Sequence, residues 1–411
     1  MKNAYQGQRS SSRGRRRRGG GGLVAILPML IVCLGVVSVL LLTGVLGGSE
    51  KSAAPKDPGR QTDPAQPTDP GKPTDPVTPT DPATPTDPVT PTDPVTPTDP
   101  VEPGGYTRIE INGDQEQYPA VYRIGDSGFE MYTYVDSTAG KYASAVNAAG
   151  EKLTGVNVYA VIVPLSSGIT LPDDLLGKDI FGDQKKAEEK IVAMLGDKVT
   201  AVPLYDALMS HRGEYIYYRT DHHWTALGAY YGYRALCQAQ GITPHALTDY
   251  RTEEFPGFLG SFYKDSNKNE QMGANPDTVV VYRPVTTTAQ LVFTDRKGQE
   301  TPWRIIYDVS DWDSGMKYNT FIGGDNPFTV INNPEVEDDS VCVVIKESFG
   351  NAMVPYLVDH YHTVYVLDYR YWSGDLQTFV REKGAQDVVF INNLSAIRNS
   401  SLMGDLQLMV G

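Results

Sequence analysis

Val341-Cys342-Val343-Val344-Ile345-Lys346-Glu347-Ser348-Phe349-Gly350-Asn351 joins an unbroken apolar run to a serine and then to a helical pattern. Five consecutive apolar side chains without polar alternation are what a strand buried on both faces requires, because a strand with one wet face alternates. A serine in the turn between such a strand and a helix is held with its hydroxyl exposed, and nearby amides can stabilise an oxyanion. A nucleophile has those needs. Taken alone, a serine at such a position is more often a helix cap than a nucleophile.

The strand-then-helix unit recurs on both sides. Downstream, residues 351–360 have helical spacing, 364–367 form a strand, 376–383 a helix and 388–391 a strand. Upstream, the apolar run 156–163 ends at Pro164, 184–195 is helical, 199–202 is a short strand and 204–209 a short helix. Residues 226–239 then form a helix for which Thr225 is the expected N-cap. Short apolar strands separated by helices predict an α/β fold, a parallel sheet with helices on both faces. Residues 255–333 break the pattern. Segments 279–282, 291–293 and 303–307 read as antiparallel strands around the turn Asp295-Arg296-Lys297-Gly298, a β-rich insertion or cap on the core. Residues 104–134 are strand-like and are expected to add edge strands.

The chain before Gly104 has a different character. Residues 1–22 carry Lys2, Arg9, Arg13 and Arg15 to Arg18, no acidic side chain and many Gly and Ser, a disordered basic tail. Residues 23–46 hold no charge, and as a helix they would extend about 36 Å, enough to cross a bilayer. Arginines before the run and none just after predict a single-pass anchor with its N-terminus in the cytoplasm and the remainder outside the cell. The run is longer than a signal-peptide core and lacks a small-x-small cleavage site, and Cys33 follows Ile31 and Val32 rather than the small residues of a lipoprotein signal. From Thr62 to Pro103 the hexad Thr-Asp-Pro-x-x-Pro repeats seven times. Proline at every third position fixes φ and removes amide donors, so residues 47–103 are expected to be a disordered, polyproline-rich stalk reaching up to roughly 130 Å over its repeats.

Residues 104–411 are then the folded ectodomain. The whole chain has a formal net charge of −14, and this part is slightly more acidic still, because the residues before it sum to a small positive excess. An acidic domain outside the cell is a poor nucleic-acid binder. Its two cysteines, Cys237 in a helical pattern and Cys342 in an apolar strand, read as buried thiols rather than a disulfide, with one bridge as the alternative in an oxidising location.

A second polar tract, Tyr217-Tyr218-Arg219-Thr220-Asp221-His222-His223-Trp224-Thr225, supplies what a serine nucleophile lacks. An imidazole acts as general base when a carboxylate fixes its tautomer. In extended backbone, residues i and i+2 share a side, so Asp221 pairs with His223 while His222 points away. A third tract, Val366-Leu367-Asp368-Tyr369-Arg370, ends another strand beside Ile391-Asn392-Asn393. Arg370 could hold an anionic group or pair with Asp368, and the asparagines could donate to an oxyanion. Tyr217, Tyr218, Tyr230 and Tyr231 could offer sugar-stacking faces or be packing. On the bland reading Thr220 and Asp221 cap the next helix and Trp224 is core. A metal site with His360 and His362 is disfavoured, because adjacent side chains diverge and no HExxH spacing is present.

Thr220 to Thr225 resembles the signature after which the DHHW family of bacterial surface proteins is named. The family pattern continues in Gly228-Ala229-Tyr230, in Lys346 to Asn351, in Val354-Pro355-Tyr356-Leu357 and in Asp368-Tyr369-Arg370-Tyr371. The family in turn resembles the SGNH-hydrolase-like, flavodoxin-like domains of alginate O-acetyltransferase proteins, which carry Asp-x-His-Trp followed later by a serine. The resemblance implies Ser348 as nucleophile, His223 as base and Asp221 as its orienting acid. It also marks departures. Ordinary SGNH hydrolases place the serine early and the Asp/His pair late, Glu347 stands where their Gly-Asp-Ser block has Asp, and no Gly-x-Asn-Asp block is present. Asn351, Asn392 and Asn393 all stand as oxyanion candidates, with Arg370, Tyr218 and His222 as further substrate contacts.

The expectation is a surface-anchored serine acyl-transfer enzyme without cofactor or metal. It would acetylate a cell-surface or cell-wall polysaccharide with acyl groups from a membrane-bound O-acyltransferase partner. A carbohydrate O-acetyl esterase using the same triad, or a non-catalytic scaffold or glycan-binding domain, are the alternatives.

Overall fold

A computed structural model describes residues 111–411; the basic tail, the expected membrane span, the repeat stalk and the first residues of the ectodomain lie outside the described residues. β1 (Gln115–Gln117), β2 (Tyr122–Ile124) and β3 (Ser127–Phe129) form a small antiparallel sheet of their own. The strand-like N-terminal segment therefore does not supply edge strands to the main sheet.

The main sheet is built from β4 (Asn157–Val163) and β5 (Thr200–Pro203), and later from β8 (Gln290–Thr294), β9 (Glu300–Trp303), β10 (Phe328–Asn332), β11 (Val341–Lys346), β12 (Thr363–Asp368) and β13 (Asp387–Asn393). Between these, β6 (Arg251–Phe258) pairs antiparallel with β7 (Asp277–Arg283) as a separate ribbon. The order across the sheet is β5-β4-β13-β11-β12-β10-β8-β9. The first five strands are parallel, and β10, β8 and β9 continue the sheet antiparallel.

The apolar runs are explained by burial on two sides. Val158, Ala160, Ile162, Val343, Ile345, Val388 and Phe390 pack in one layer with the helices Asp136–Lys152 and Ser400–Val410. Their neighbours Tyr159, Val161, Val163, Val344, Val389 and Ile391 face the opposite layer, which includes the helices Ala226–Gln240 and Gly350–Leu357. Each fully buried Val or Ile contributes roughly 1.5–3 kcal/mol. Cys237 and Cys342 are free and buried in this core.

Numbered from the serine-bearing strand, the parallel strands read across the sheet as second (β12), first (β11), third (β13), fourth (β4) and fifth (β5). That is the flavodoxin-like order 2-1-3-4-5, entered at a different point. Among the five parallel strands, the fourth comes first in sequence and the third comes last. The helix that precedes β4 and the C-terminal helix pack side by side, and Lys152 Nζ donates to Val410 O at 3.1 Å. This circular permutation is why the Asp/His tract precedes the serine.

Part of the predicted insertion belongs to the main sheet rather than to a cap. The hairpin around Asp295 to Gly298 is formed, but its second strand ends at Trp303 instead of starting there. The helix Asp136–Lys152 carries an alanine-rich buried stripe (Ala139, Tyr142, Ala143, Val146, Ala149) that contrasts little with its flanks, so its periodicity is weak in the sequence.

Candidate active site

The tract from Ile216 to Thr225 is a closed loop. Tyr218 N donates to His223 O at 3.2 Å and Thr225 N to Ile216 O at 2.9 Å. Thr225 then caps the helix Ala226–Gln240, accepting from Gly228 N at 3.3 Å, as expected. The loop is anchored from outside by the fully buried Asp277 at the start of β7. Its carboxylate accepts from Thr220 N (2.8 Å), Thr220 Oγ1 (2.6 Å), Arg219 Nε (3.2 Å) and the Tyr215 hydroxyl.

At the tip, Asp221 Oδ1 accepts from His223 N at 3.0 Å and lies 2.6 Å from His223 Nδ1. Asp221 and His223 thus pair as anticipated, but the loop is a bend in which the aspartate folds back on the amide two residues on, not an extended strand. Asp221 Oδ2 accepts from Ser261 N at 2.8 Å. Burial opposes ionisation of this carboxyl, but the two imidazoles and these hydrogen bonds outweigh it and hold Asp221 below the usual carboxylate range. A Cβ on Gly260 would come within 2.2–2.5 Å of the Asp221 side chain, so glycine is needed there.

His223 Nε2 lies 2.7 Å from Ser348 Oγ. With its Nδ1 proton directed at Asp221, the imidazole presents Nε2 as an acceptor to the serine hydroxyl. Tyr318 stacks on the His223 ring at 3.9 Å and 11°, and its hydroxyl donates to Ser348 O at 3.1 Å.

Ser348 is positioned by its own segment. Trp224 Nε1 donates to Phe349 O at 2.9 Å. Glu347 is buried and accepts from Phe349 N (3.1 Å) and Asn393 N (3.0 Å), tying the turn after β11 to the end of β13. Burial pushes the Glu347 carboxyl up, against the pull of Arg370 and the two amides. Beneath the turn, Lys346 Nζ reaches Asp368 Oδ2 (2.9 Å) and Asp325 Oδ1 (3.1 Å). Arg370 pairs with Asp368 (2.6 Å) and Asp325 (2.8 Å). Burial works against the Asp325 charge, yet Lys346 and Arg370 hold its carboxyl below the ordinary range. Of the two sequence readings of Arg370, the ion pair is the one realised.

Ser348 lies half-buried in a cleft of about 350 Å³, whose walls also carry His222, Glu347, Arg370 and Asn393. Asn393 Oδ1 caps the following short helix at Ala396 N (2.9 Å). The other candidates are elsewhere. Asn351 Nδ2 donates to Asp325 (2.9 Å) and Asn392 Nδ2 to the Tyr369 hydroxyl (3.1 Å), and both are buried away from this cleft. Tyr217, Tyr218, Tyr230 and Tyr231 are all at most 5% exposed, which removes them as sugar-stacking faces at the cleft. His222 does not simply turn away: its ring lies 3.9 Å from that of His223, and its Nδ1 is 2.6 Å from Ser261 Oγ.

Asp221, His222 and His223 bring potential metal ligands within 4.8 Å of one another. Both nitrogens of His223 and Nδ1 of His222 are engaged with Asp221, Ser348 and Ser261, so hydrogen bonding uses the donors that a cation would need. Tyr318, Gly260, Ser261 and Asp325 are not legible in the sequence, because they come from loops and short helical turns with no motif of their own.

The model of the family described as DHHW protein matches residues 92–367, and the chain belongs to that family. Among solved structures, it is similar to a DHHW family protein from Eubacterium siraeum, at 29% identity and a TM-score of 0.65 over 74% of this chain and 100% of that one. It is also similar to Bacillus cereus PatB1 with a sulfonyl adduct, at 19% identity and a TM-score of 0.58 over 70% and 97%. The O-acetyltransferase domain of Pseudomonas putida AlgJ matches at 16% identity and a TM-score of 0.37 over 66% and 90%. No curated protein matches the chain significantly.

Proposed function

We propose that this DHHW family member is a serine acyl-transfer enzyme, an O-acetyltransferase that modifies a cell-surface or cell-wall polysaccharide through an acetyl-serine intermediate. The observation that carries the reading is the continuous chain from Ser348 Oγ to His223 Nε2 (2.7 Å) and from His223 Nδ1 to Asp221 (2.6 Å). His223 takes the hydroxyl proton as Oγ attacks the acetyl carbonyl, and Asp221 stabilises the imidazolium. The Ser348 N–H and the Asn393 side-chain amide are the proposed oxyanion donors. His223 returns the proton to the departing group, then deprotonates the acceptor hydroxyl, which releases the acetyl group as an ester and restores Ser348.

We assign residues 1–22, 23–46 and 47–103 as cytoplasmic tail, membrane anchor and extracellular stalk, with the catalytic ectodomain following. A membrane-bound O-acyltransferase would supply the acetyl group from the cytoplasmic side. One observation favours esterase chemistry at the same site: Ser348 is half-buried in a surface cleft, where water can replace the sugar hydroxyl. PatB1, which shares the fold, was solved with a sulfonyl adduct, so a sulfonyl fluoride is a fitting probe here. The test is acetyl release from an activated acetyl ester, with and without a glycan acceptor, for the wild-type protein and Ser348→Ala. Loss of turnover in the variant supports the reading, and equal turnover in both would remove Ser348 from the chemistry.

A further inference from the structure

The charges around the Ser348 cleft carry information about the acceptor. Three carboxylates line it, those of Glu130, Asp265 and Glu347, against one cation, Arg370. That cation is already committed. Its guanidinium lies 2.6 Å from Asp368 and 2.8 Å from Asp325, so two carboxylates share it with the buried Lys346. An incoming anion would have to displace one of them at the cost of breaking a buried ion pair. Glu130 is countered by Arg398 at 3.3 Å and by the Ser395 hydroxyl, whereas Asp265 is exposed and has no neutralising side chain within ion-pair distance among the described residues. Burial and the neighbouring His223 hold His222 below its ordinary range, which disfavours its positive form. What remains for recognition is neutral: the side-chain N–H groups of Asn393 and Asn399, whose Oδ1 atoms cap helices, and the accepting side of the Ser395 hydroxyl, beside the apolar Phe262 and Leu402. Such a set suits sugar hydroxyls and acetamides, and like-charge repulsion disfavours carboxylates.

We infer that the acceptor is an uncharged glycan, a polymer of neutral hexose or N-acetylhexosamine units, and that the cleft discriminates against uronic-acid polymers. This rests on the proposed acyl transfer at Ser348 and adds which sugar takes the acetyl group.

The experiment separates the two claims by reading the rate at which a sulfonyl fluoride labels Ser348 in the full-length protein, followed by mass spectrometry. An oligosaccharide that occupies the cleft slows labelling. N-acetylglucosamine oligomers are expected to protect Ser348 at concentrations about tenfold or more below those needed by oligouronates of equal length. Raised ionic strength should narrow that gap by screening the repulsion. Asp265→Lys should narrow it further by strengthening uronate protection. Equal or better protection by the uronate at low salt would overturn the inference, as would protection by neither sugar. Failure of Ser348 to label at all would instead sink the reading on which it rests.

Discussion

The indole N–H of Trp224 donates to the carbonyl oxygen of Phe349 at 2.9 Å, across 125 residues of chain. One of these residues follows the proposed base His223 and the other the proposed nucleophile Ser348, so a buried bond ties the two motifs together. It also gives the fourth residue of the Asp-His-His-Trp signature a physical task distinct from catalysis.

Trp224→Phe removes the indole N–H that the Phe349 carbonyl accepts and leaves part of the buried indole volume unfilled. A loss of about 1–3 kcal/mol is expected in urea unfolding. Acetyl-ester turnover should fall beyond what the remaining folded fraction explains, because the serine turn loses its tether. Unchanged turnover per folded molecule would show that the bond contributes stability alone.

Gly260→Ala forces a methyl group against the Asp221 carboxylate, and the Ser261 amide that holds Oδ2 must move with it. A displacement near 1 Å at a catalytic group costs on the order of 100-fold in rate. Gly404→Ala, in the C-terminal helix with nothing within 4 Å of the new methyl, is the control. That variant is expected to retain full activity and to gain about 0.5–1 kcal/mol.

Asp221→Asn removes the charge that fixes the His223 tautomer, and turnover is expected to fall by roughly 10³–10⁴-fold. His223→Ala should be as severe. His222→Ala should be milder, because its ring contacts Ser261 and His223 but not Ser348 Oγ. Steady-state kinetics on the three variants checks the order, and a harsher effect at His222 would mean that the imidazoles have exchanged roles.

Glu188 provides a pH signature away from the site. Burial raises its carboxyl to about 7, against the opposing pull of the Leu204 and Tyr205 amides that it accepts from. The folded protein therefore holds this proton more tightly than the unfolded chain. The associated stability is fully present below about pH 4.5 and is lost as pH rises through about 7. Glu188→Gln cannot ionise, so it should gain about 1–3 kcal/mol relative to wild type at pH 8 and show no such gain at pH 4.5. Denaturation midpoints at the two pH values give the answer, and a gain of equal size at both would rule out titration as the cause.

The sequence made the parallel half of the sheet legible because strands such as β4 and β11 are apolar on both faces, and Pro164 and the Ser348 turn mark their ends. It hid the helix Asp136–Lys152, whose buried stripe is mostly alanine. It also hid the continuation of the sheet by β10 and β8, since antiparallel strands read alike whether they cap a core or extend it. Asp221 and His223 could be paired from local spacing, although a folded-back aspartate achieves the pairing rather than an extended strand. The asparagines could not be ranked in advance. Only the turn after β11 and the register of β13 place Asn393 at the cleft while Asn351 and Asn392 face inward. Tyr318, stacked on His223 from the short 3₁₀ helix Ser314–Thr320, leaves no sequence trace at all.

The proposed acetyl-serine is open to detection by intact-protein and peptide mass spectrometry after brief exposure to an activated acetyl ester, quenched in acid. A gain of one acetyl group located on Ser348 in the wild type, absent from Ser348→Ala and from His223→Ala, is the predicted result. Acetylation that is indifferent to both substitutions, or that is found on another residue, would rule out Ser348 as the acyl carrier.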